Sequence, residues 1–200
     1  DGQVVVIHDP TTLRIGGVDR AVADQTLAEL RALDVGAWKH VKYAGERIPT
    51  LAEALVTIPA GRTMFVEIKT GPKTAAAIAD VIRRAQPTSV SIALQGFDPD
   101  ALAALGTALP DSPAYWTVSP PVDAHDHLLP YPSSLIEETK RRGFAGLALD
   151  YRAVTQELLD AASKADILVD VWTLNETALL AEWAGRDLRW IETDRPELAP

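Results

Sequence analysis

Glu67 and Lys69 are the residues whose types and spacing most directly suggest chemistry. They lie at the end of the apolar run Met64–Ile68, and side chains two residues apart on a β-strand point to the same face. A carboxylate beside an ammonium group at the end of a strand can bind a hard cation together with an anionic substrate. Structural ion pairs at the rim of a sheet show the same spacing, so spacing alone leaves both interpretations open.

His8 follows the first apolar run and precedes Asp9 and Pro10. A histidine that leaves a buried strand just before a proline-forced turn can lie at the mouth of a binding site, where it donates or accepts a proton. A lone histidine is equally often a hydrogen-bonded residue at the rim of a sheet. Taken alone, the position of His8 supports both interpretations.

Trp172 and Thr173 end a later apolar run, and Asn175 follows them. An indole at the end of a strand can form an apolar wall for a small polyol or a choline-like group. It can equally fill the core, since a tryptophan buries a large area. The remaining tryptophans are interpreted as packing residues: Trp38, Trp116, Trp183 and Trp190.

His125 and His127 flank Asp126 within the stretch Ser119–Ser133, which is rich in Pro, Asp and His. Alternate residues of an extended segment face the same way, which is typical of a metal-binding pair. No third ligand is fixed nearby, however, and a histidine metal site needs converging ligands. We therefore interpret this stretch as a solvated loop.

The composition excludes several classes of protein. The chain has 200 residues, a mass of 21.6 kDa and 47% hydrophobic residues, which suffices for the core of one domain or of a small α/β barrel. The absence of cysteine rules out disulfides, thiolate zinc sites and a cysteine nucleophile. The net charge of -9 has the wrong sign for a nucleic-acid-binding protein. No apolar run approaches the roughly 18 residues of a membrane span.

Strand candidates alternate with helical patterns along most of the chain. Most of them are continuous apolar runs, the pattern of strands buried on both faces. The predicted strands are Val4–Ile7, Met64–Ile68, Ser89–Leu94, Tyr115–Val118, Gly146–Leu149, Leu168–Thr173 and Leu188–Thr193.

Helix-start signals lie between these runs. They include two capping boxes and an aspartate followed by proline, and the residues Ala75–Ala85 are apolar at helical spacing. The stretch Pro10–Arg47 is a long insertion, predicted to be helical only around Thr26–Leu33. The predicted N-caps are Thr26, Thr50, Asp98, Thr155 and Asn175.

Alternation of strands and helices predicts parallel strands with right-handed crossovers, in either a doubly wound sheet or a barrel. No glycine-rich phosphate-binding motif follows any strand, which weakens a nucleotide-binding interpretation. Polar residues at the carboxyl ends of the strands favour the barrel, because barrel enzymes place their chemistry at that edge. These residues are His8, Asp9, Glu67, Lys69, Gln95, Asp150, Trp172, Asn175, Thr193 and Asp194.

Taken in order, these segments resemble the glycerophosphodiester phosphodiesterase family. No single segment is decisive, but the ordered set is specific and spans nearly the whole chain. The matching segments are Asp1–Thr11 with Arg14, Leu27–Trp38, Gly45–Leu51, Val66–Lys69, Phe97–Pro99, Val171–Asn175 and Thr193–Glu197.

The resemblance implies a fold and an activity. The family's fold is an α/β TIM-type (β/α)8 barrel, and its enzymes cleave glycerophosphodiesters to glycerol 3-phosphate and an alcohol with a divalent cation. The expected cofactor is therefore Ca²⁺ or Mg²⁺, and the expected partner is a small-molecule glycerophosphodiester. Residues 1–200 are predicted to form a single barrel domain of this kind, with the insertion 10–47 as a family feature.

The resemblance also implies roles for four residues. His8 is similar to one of the family's two catalytic histidines, the acid that protonates the leaving oxygen, a step typically worth about 10²–10⁴-fold in rate. Glu67 is similar to a metal ligand, and Lys69 to a partner of the phosphate or of the site's carboxylates. Trp172 is similar to a wall of the glycerol site.

The family pattern contains a first βαβ unit that this sequence does not show. In the family, that unit carries a His-Arg-Gly strand end and a Glu-x-Asp strand, which supply the other catalytic histidine, an arginine for the phosphate and two metal ligands. The chain opens with Asp1-Gly2-Gln3, just after the point where Glu-x-Asp would end. We therefore expect the barrel to be N-terminally incomplete and the 200-residue chain alone to be a poor catalyst.

Two other functions stay open on the sequence. One is a catalytically inactive fragment or a binding module with the same fold, since a single carboxylate such as Glu67 binds a hard cation weakly. The other is a phospholipase D-like enzyme acting on choline phospholipids, against which the lack of disulfides argues.

Gly96 stands where members of the family often carry serine, so contacts to substrate near Gln95–Phe97 stay open.

Overall fold

The computed structural model describes residues 1–85 and 90–198, which group into two compact units. The first unit comprises Asp1–Met64 and Ala77–Ser91, and the second comprises Phe65–Ala76 and Ile92–Pro200. The prediction of a single barrel domain over residues 1–200 stays a prediction.

The first unit contains short helices joined by irregular backbone. Two of them begin with the predicted capping boxes: the hydroxyls of Thr26 and Thr50 accept from the backbone N–H groups of Glu29 and Glu53, whose carboxylates accept in return. These reciprocal bonds satisfy donors that a helix start leaves unpaired. The helices are α1 (Leu13–Gly16), α2 (Leu27–Ala32) and α3 (Leu51–Leu55), with 3₁₀ turns at Val22–Asp24 and Val41–Tyr43.

Two predictions about this unit are wrong. Val4–Ile7 is not a strand of the sheet: Val5 forms only an isolated antiparallel bridge with Thr50. An apolar, β-branched run favours extended backbone but does not say which segment pairs with it. The insertion is also more structured than predicted, because α1 and two 3₁₀ turns lie outside Thr26–Leu33.

A six-stranded sheet runs through the described part of the chain in the order β1-β2-β3-β4-β5-β6, and the pairs from β2 to β6 are parallel. The predicted α/β fold with parallel strands is thus confirmed for these pairs. The predicted strand start at Ser89 lies outside the described residues. The strands are β1 (Thr63–Glu67), β2 (Ser91–Gly96), β3 (Ala114–Val118), β4 (Gly146–Asp150), β5 (Leu168–Trp172) and β6 (Trp190–Ile191).

A helix follows each of the first five strands along the chain, as the alternation predicts. Asp98 and Thr155 are confirmed as N-caps, but α8 is capped by Glu176 and not by Asn175. None of the helices in residues 1–85 and 90–198 has the length and apolar character that crossing a membrane requires. The helices are α4 (Ala75–Ala85), α5 (Pro99–Ala108), α6 (Ser134–Arg141), α7 (Gln156–Lys164) and α8 (Thr177–Ala184).

The register of the sheet sorts its residues onto two faces. Residues that are partners across parallel strands share a face, and neighbours along a strand alternate. Leu149 and Val171 are such partners, and both are fully buried in a hydrophobic cluster that includes residues of α6, α7 and α8. The opposite face carries the row Thr117, Ala148, Asp170 and Trp190.

Aromatic side chains connect distant strands on that opposite face. The ring of Phe65 on β1 lies 5.4 Å from the ring of Tyr115 on β3 and 5.6 Å from the ring of Trp190 on β6, centroid to centroid. Strands at the two ends of the sheet order can approach this closely only if the sheet curls towards this face. The curl brings residues far apart in sequence together.

Gly146 allows the close approach of β4 to its neighbours. A Cβ atom at this position would lie 2.6 Å from the Leu168 carbonyl oxygen and 2.8 Å from Cδ1 of Tyr115. Backbone and a buried ring cannot give way easily, so we expect Gly146→Ala to lower the free energy of unfolding by about 1–3 kcal/mol, as overpacking does. Urea unfolding monitored by circular dichroism measures this change.

Gly106→Ala is the matched control, because an added Cβ in α5 meets no atom within 4 Å. Alanine is favoured over glycine in a helix by about 0.5–1 kcal/mol, so this variant is expected to be at least as stable as the wild type. A Gly146→Ala protein with wild-type stability would contradict the close packing of β3, β4 and β5.

Candidate active site

Glu67 and Lys69 meet at the carboxyl end of β1, as their spacing predicts. The Lys69 Nζ atom lies 2.8 Å from Oε2 of Glu67. The two side chains are 28% and 35% exposed, so both charged groups stay accessible to a ligand. The pair is therefore an ion pair and, at the same time, a reachable carboxylate and ammonium at the strand end where barrel enzymes bind substrate.

Trp172 lies at the carboxyl end of β5 and packs against Phe97, which follows β2. The two rings are 6.4 Å apart with an interplanar angle of 64°, an edge-to-face contact. Trp172 is half-buried, whereas Phe97 is 49% exposed. The role of Trp172 as a wall of the glycerol site stays a prediction, and sequence reasoning missed its contact with Phe97, although an aromatic residue directly after a strand end was the available signal.

Asn175 has a different role from the predicted helix cap. Its Nδ2 donates to Asp194 Oδ2 at 2.9 Å, and its Oδ1 accepts from the Asp194 backbone N–H at 2.9 Å. The Thr193 hydroxyl also donates to this oxygen at 3.2 Å. These bonds connect the segment after β5 to the segment after β6. They explain why Asn175 and the pair Thr193–Asp194 both follow the ends of strands.

Asp150, at the end of β4, is a structural residue. Its carboxylate, 3% exposed, accepts from Nε and Nη2 of Arg152 at 2.9 and 2.6 Å. Its backbone N–H donates to the hydroxyl of Tyr131, which donates in turn to the Val118 carbonyl at 2.6 Å. Burial raises the pKa of this hydroxyl to about 12. The carboxylate is engaged in a bidentate ion pair and so is occupied structurally.

His8 lies in the first unit, where Asp9 and Arg14 orient it. Its Nδ1 is 2.7 Å from Asp9 Oδ1, and its side chain is 81% exposed. Arg14 donates to the same carboxylate through Nε at 2.6 Å and Nη2 at 3.0 Å, and its guanidinium stacks on the Trp38 ring at 4.7 Å. The hydrogen bond from Arg14, followed by that from His8, lowers the pKa of Asp9 to about 2.

The ionised Asp9 carboxylate only accepts hydrogen bonds. The neutral His8 ring therefore carries its hydrogen on Nδ1, and Nε2 is left as the exposed acceptor. A carboxylate that orients an imidazole in this way is the arrangement that general acid–base catalysis uses. Sequence reasoning singled out His8 but missed the orienting roles of Asp9 and Arg14.

The loop that holds His125 and His127 is organised by Asp123. The carboxylate accepts from both backbone N–H groups, at 2.7 and 3.0 Å, and from Nδ1 of His127 at 3.0 Å. The hydrogen bonds from His127 and His125 lower the pKa of Asp123. The side chain of His127 is 76% exposed. The interpretation as a solvated loop is thus confirmed.

The described residues do not make a complete site for a divalent cation. Within residues 1–85 and 90–198, no group of three or more His, Asp or Glu residues is arranged to hold a metal ion. Ca²⁺ takes six to eight oxygen ligands, whereas Glu67 offers one carboxylate that Lys69 already neutralises. The expected Ca²⁺ or Mg²⁺ site stays a prediction in which Glu67 would be one ligand.

A second polar group was found only in part by sequence reasoning, which singled out Gln95 but not the two carboxyl residues near it. It lies on the face of the sheet opposite the helices and comprises Asp170 on β5, Glu192 just after β6, and Gln95 on β2. Gln95 Nε2 donates to Oε1 of Glu192 at 2.7 Å. Asp170 is fully buried. Each of these residues sits in an apolar run, which concealed that they meet.

The comparison with known families identifies the class of protein. The chain belongs to the glycerophosphoryl diester phosphodiesterase family, whose pattern it matches over residues 1–198. This match confirms the resemblance and, with it, the predicted class of enzyme.

Individual relatives agree with this assignment. A glycerophosphodiester phosphodiesterase of Bacillus subtilis is 23% identical over 217 residues, 99% of this chain and 71% of the relative. A glycerophosphodiester phosphodiesterase of Caldanaerobacter subterraneus is 46% identical over 74 residues, 36% of this chain and 30% of the relative.

A solved structure shows the same fold. The Oleispira antarctica phosphodiesterase, in complex with its product sn-glycerol-3-phosphate, superposes with a TM-score of 0.86 at 24% identity, over 98% of this chain and 77% of that chain. The α/β fold with a parallel sheet is therefore the fold of this family.

The orientation of His8 gives a testable prediction. In the neutral ring of the wild-type protein we expect the hydrogen on Nδ1, because Asp9 accepts it. Asp9→Ala removes the acceptor, and the preference for this tautomer is expected to disappear. Imidazole ¹⁵N chemical shifts report which nitrogen carries the hydrogen.

Asp19→Ala is the control for this measurement, since Asp19 is an exposed acidic residue of the same unit. It is expected to leave the His8 nitrogen shifts unchanged. The same His8 tautomer in the Asp9→Ala and wild-type proteins would refute the orienting role of Asp9.

The buried Asp170 predicts a specific pH dependence of stability. Burial, followed by the neighbouring Glu192 carboxylate, raises the pKa of Asp170. The folded protein therefore keeps a proton that the unfolded chain releases near pH 4, the ordinary range of Asp. This group makes the free energy of unfolding fall as the pH rises above about 4, by up to about 1.4 kcal/mol per pH unit, until the buried group ionises.

Asp170→Asn removes this contribution, so the variant gains stability relative to the wild type as the pH rises. Urea unfolding from about pH 5 to about pH 8 measures the difference. Asp111→Asn removes the same formal charge from an exposed turn and is expected to keep the wild-type slope. Parallel pH profiles for the wild type and Asp170→Asn would mean that Asp170 ionises normally.

Proposed function

We propose that the full-length protein hydrolyses glycerophosphodiesters to glycerol 3-phosphate and an alcohol. The observation that carries this proposal is the family match over residues 1–198. The glycerol 3-phosphate bound as product in the Oleispira antarctica phosphodiesterase supports the choice of substrate. Polar and aromatic residues at the carboxyl ends of β1 and β5 agree with a small polar substrate that carries an alcohol group.

The residues present would contribute three elementary functions. In its protonated form the His8 ring carries hydrogens on both nitrogens: Asp9 holds the Nδ1 hydrogen, and Nε2 gives its proton to the leaving alkoxide, which is otherwise too basic to depart. The Lys69 ammonium binds an anionic phosphate oxygen. The Trp172 and Phe97 rings give the carbon skeleton of a glycerol group an apolar surface. The functions of Lys69, Trp172 and Phe97 follow from their positions at or near strand ends, and that of His8 follows from its bond to Asp9.

Metal dependence is part of the proposal. A divalent cation bound to Glu67 and further oxygen ligands would neutralise the charge of the phosphodiester, which otherwise repels a nucleophile. The described residues supply one carboxylate towards that set. We propose that the remaining ligands, together with the second histidine and an arginine, belong to a βαβ unit of the full-length protein. The coding sequence upstream of Asp1 tests this point, and the absence of both His-Arg-Gly and Glu-x-Asp from it would contradict the proposal.

A non-catalytic binding module is the second candidate function, and it applies to the 200-residue chain alone. The incomplete set of metal-binding carboxylates in residues 1–85 and 90–198 favours it. The two candidates differ in one property, since only the enzyme releases glycerol 3-phosphate.

Activity of the full-length protein is the decisive test. We expect metal-dependent release of glycerol 3-phosphate from glycerophosphocholine, measured by a coupled enzymatic assay. His8→Ala is expected to lower kcat by about 10²–10⁴-fold, because the leaving group loses its proton donor. Glu67→Gln is expected to raise the metal concentration needed for half-maximal activity.

Glu157→Gln is the matched control for Glu67→Gln, since Glu157 is exposed on α7. It is expected to keep wild-type activity. Undiminished activity in both His8→Ala and Glu67→Gln would refute the assigned roles. A wild-type protein that binds the substrate without hydrolysing it would instead favour the binding module.

A further inference from the structure

Asp170 and Glu192 form a buried carboxyl pair that the proposed reaction does not use. Asp170 is fully buried on β5, and among the described residues the neighbouring Val171 N–H acts on its carboxylate but reaches neither oxygen in hydrogen-bonding geometry. The Glu192 carboxyl lies beside it, because Glu192 follows Trp190, the register partner of Asp170, by two residues and so shares its face of the sheet. Two ionised carboxylates only accept hydrogen bonds, so they cannot satisfy each other.

A shared proton resolves this conflict. Burying an unpaired negative charge is costly, and two adjacent carboxylates in one buried site cannot both ionise easily. Burial raises the pKa of both groups, and each of them is influenced by a neighbouring carboxylate: Glu192 acts on Asp170, and Glu67 acts on Glu192. One proton between the two groups creates a short, strong O–H···O⁻ bond and halves the buried charge.

Gln95 indicates where the remaining charge lies. Its Nε2 donates to Glu192 Oε1 at 2.7 Å, so Glu192 has a second donor in good geometry, whereas the Val171 N–H next to Asp170 reaches neither of its oxygens in hydrogen-bonding geometry. The ionised member is accordingly Glu192, and the protonated member is Asp170. The resulting chain runs from the Asp170 O–H to the Glu192 carboxylate, which also accepts from the Gln95 amide.

This chain fixes which way the Gln95 amide is turned. Its nitrogen faces Glu192, so its carbonyl oxygen is directed elsewhere and remains an acceptor. Within residues 1–85 and 90–198, none of the hydrogen bonds reaches this oxygen. Gln95 lies near the end of β2, two residues before Phe97, whose ring packs against Trp172.

We propose that Asp170 and Glu192 hold one proton between them and act as positioning residues for Gln95, whose carbonyl oxygen accepts a hydrogen bond from a substrate hydroxyl. The ligand group that fits is an alcohol, as on a glycerol backbone. The identity of that alcohol rests on the proposed function. The shared proton and the orientation of Gln95 do not rest on it.

The first experiment tests the shared proton without using activity. In the full-length protein with ¹³C-labelled aspartate and glutamate, we expect one protonated carboxyl signal at neutral pH, and its loss in Asp170→Asn. The Gln95 side-chain amide signals are expected to stay in place in Asp170→Asn, because the new amide still donates to Glu192. They are expected to move in Asp170→Leu, which has no donor. Asp111→Asn is the control and should change none of these signals.

Ionised signals for both carboxyls at neutral pH in the wild-type protein would overturn the proposal. The same would follow if Asp170→Leu left the Gln95 amide signals unchanged while the protein stayed folded.

The second experiment tests the role of Gln95 in substrate binding. In the full-length enzyme, Gln95→Leu and Asp170→Leu are each expected to raise KM for a glycerophosphodiester by about tenfold, the effect of losing one hydrogen bond, with kcat changed by less than about threefold. Asp170→Asn is expected to restore KM to near the wild-type value. A merely structural role would not separate KM from kcat in this way.

An unchanged KM in a folded Gln95→Leu or Asp170→Leu protein would refute the positioning role. If the wild-type protein released no glycerol 3-phosphate, the proposed function would fail, and the carboxyl signals would still decide whether the pair shares a proton.

Discussion

The parallel register of β3, β4, β5 and β6 is the constraint on which the site depends. It places alternate residues of each strand on opposite faces, so that one row packs against the helices and the next row faces away from them. The helix-facing row is aliphatic and supplies the core. The other row carries the polar group around Asp170. A shift of one residue in any strand would exchange these rows and bury the wrong side chains.

The elements of the fold were predictable where their signals are local. Continuous apolar runs marked the strands, and the hydroxyls of Thr26 and Thr50 marked two helix starts, because a capping box needs only residues three apart. The signals failed where the partner is distant. Val4–Ile7 has strand chemistry, but its extended backbone bonds only to the segment around Thr50 and joins no strand of the sheet. Asn175 can cap a helix, yet Thr193 and Asp194 offer it better partners across the ends of two strands.

In the candidate site, too, residues with local signals were predictable and contacts between distant residues were not. Glu67 and Lys69 were predictable because the period of a strand puts residues two apart side by side, and Trp172 because it ends a strand. The Asp170–Glu192 pair was not predictable, since the contact is set by register and by the curl of the sheet. Asp9 is an intermediate case, because adjacency to His8 was visible in the sequence but the bond from Arg14 that keeps it ionised was not.

Binding of sn-glycerol 3-phosphate to the full-length protein tests most directly the claim that the carboxyl ends of the strands form the substrate site. Chemical-shift mapping during a titration is expected to show saturable changes at the Trp172 indole, the Lys69 side chain and the Gln95 amide, with little change at residues of the helix-packed face. Saturable binding that left these three signals in place would contradict the account.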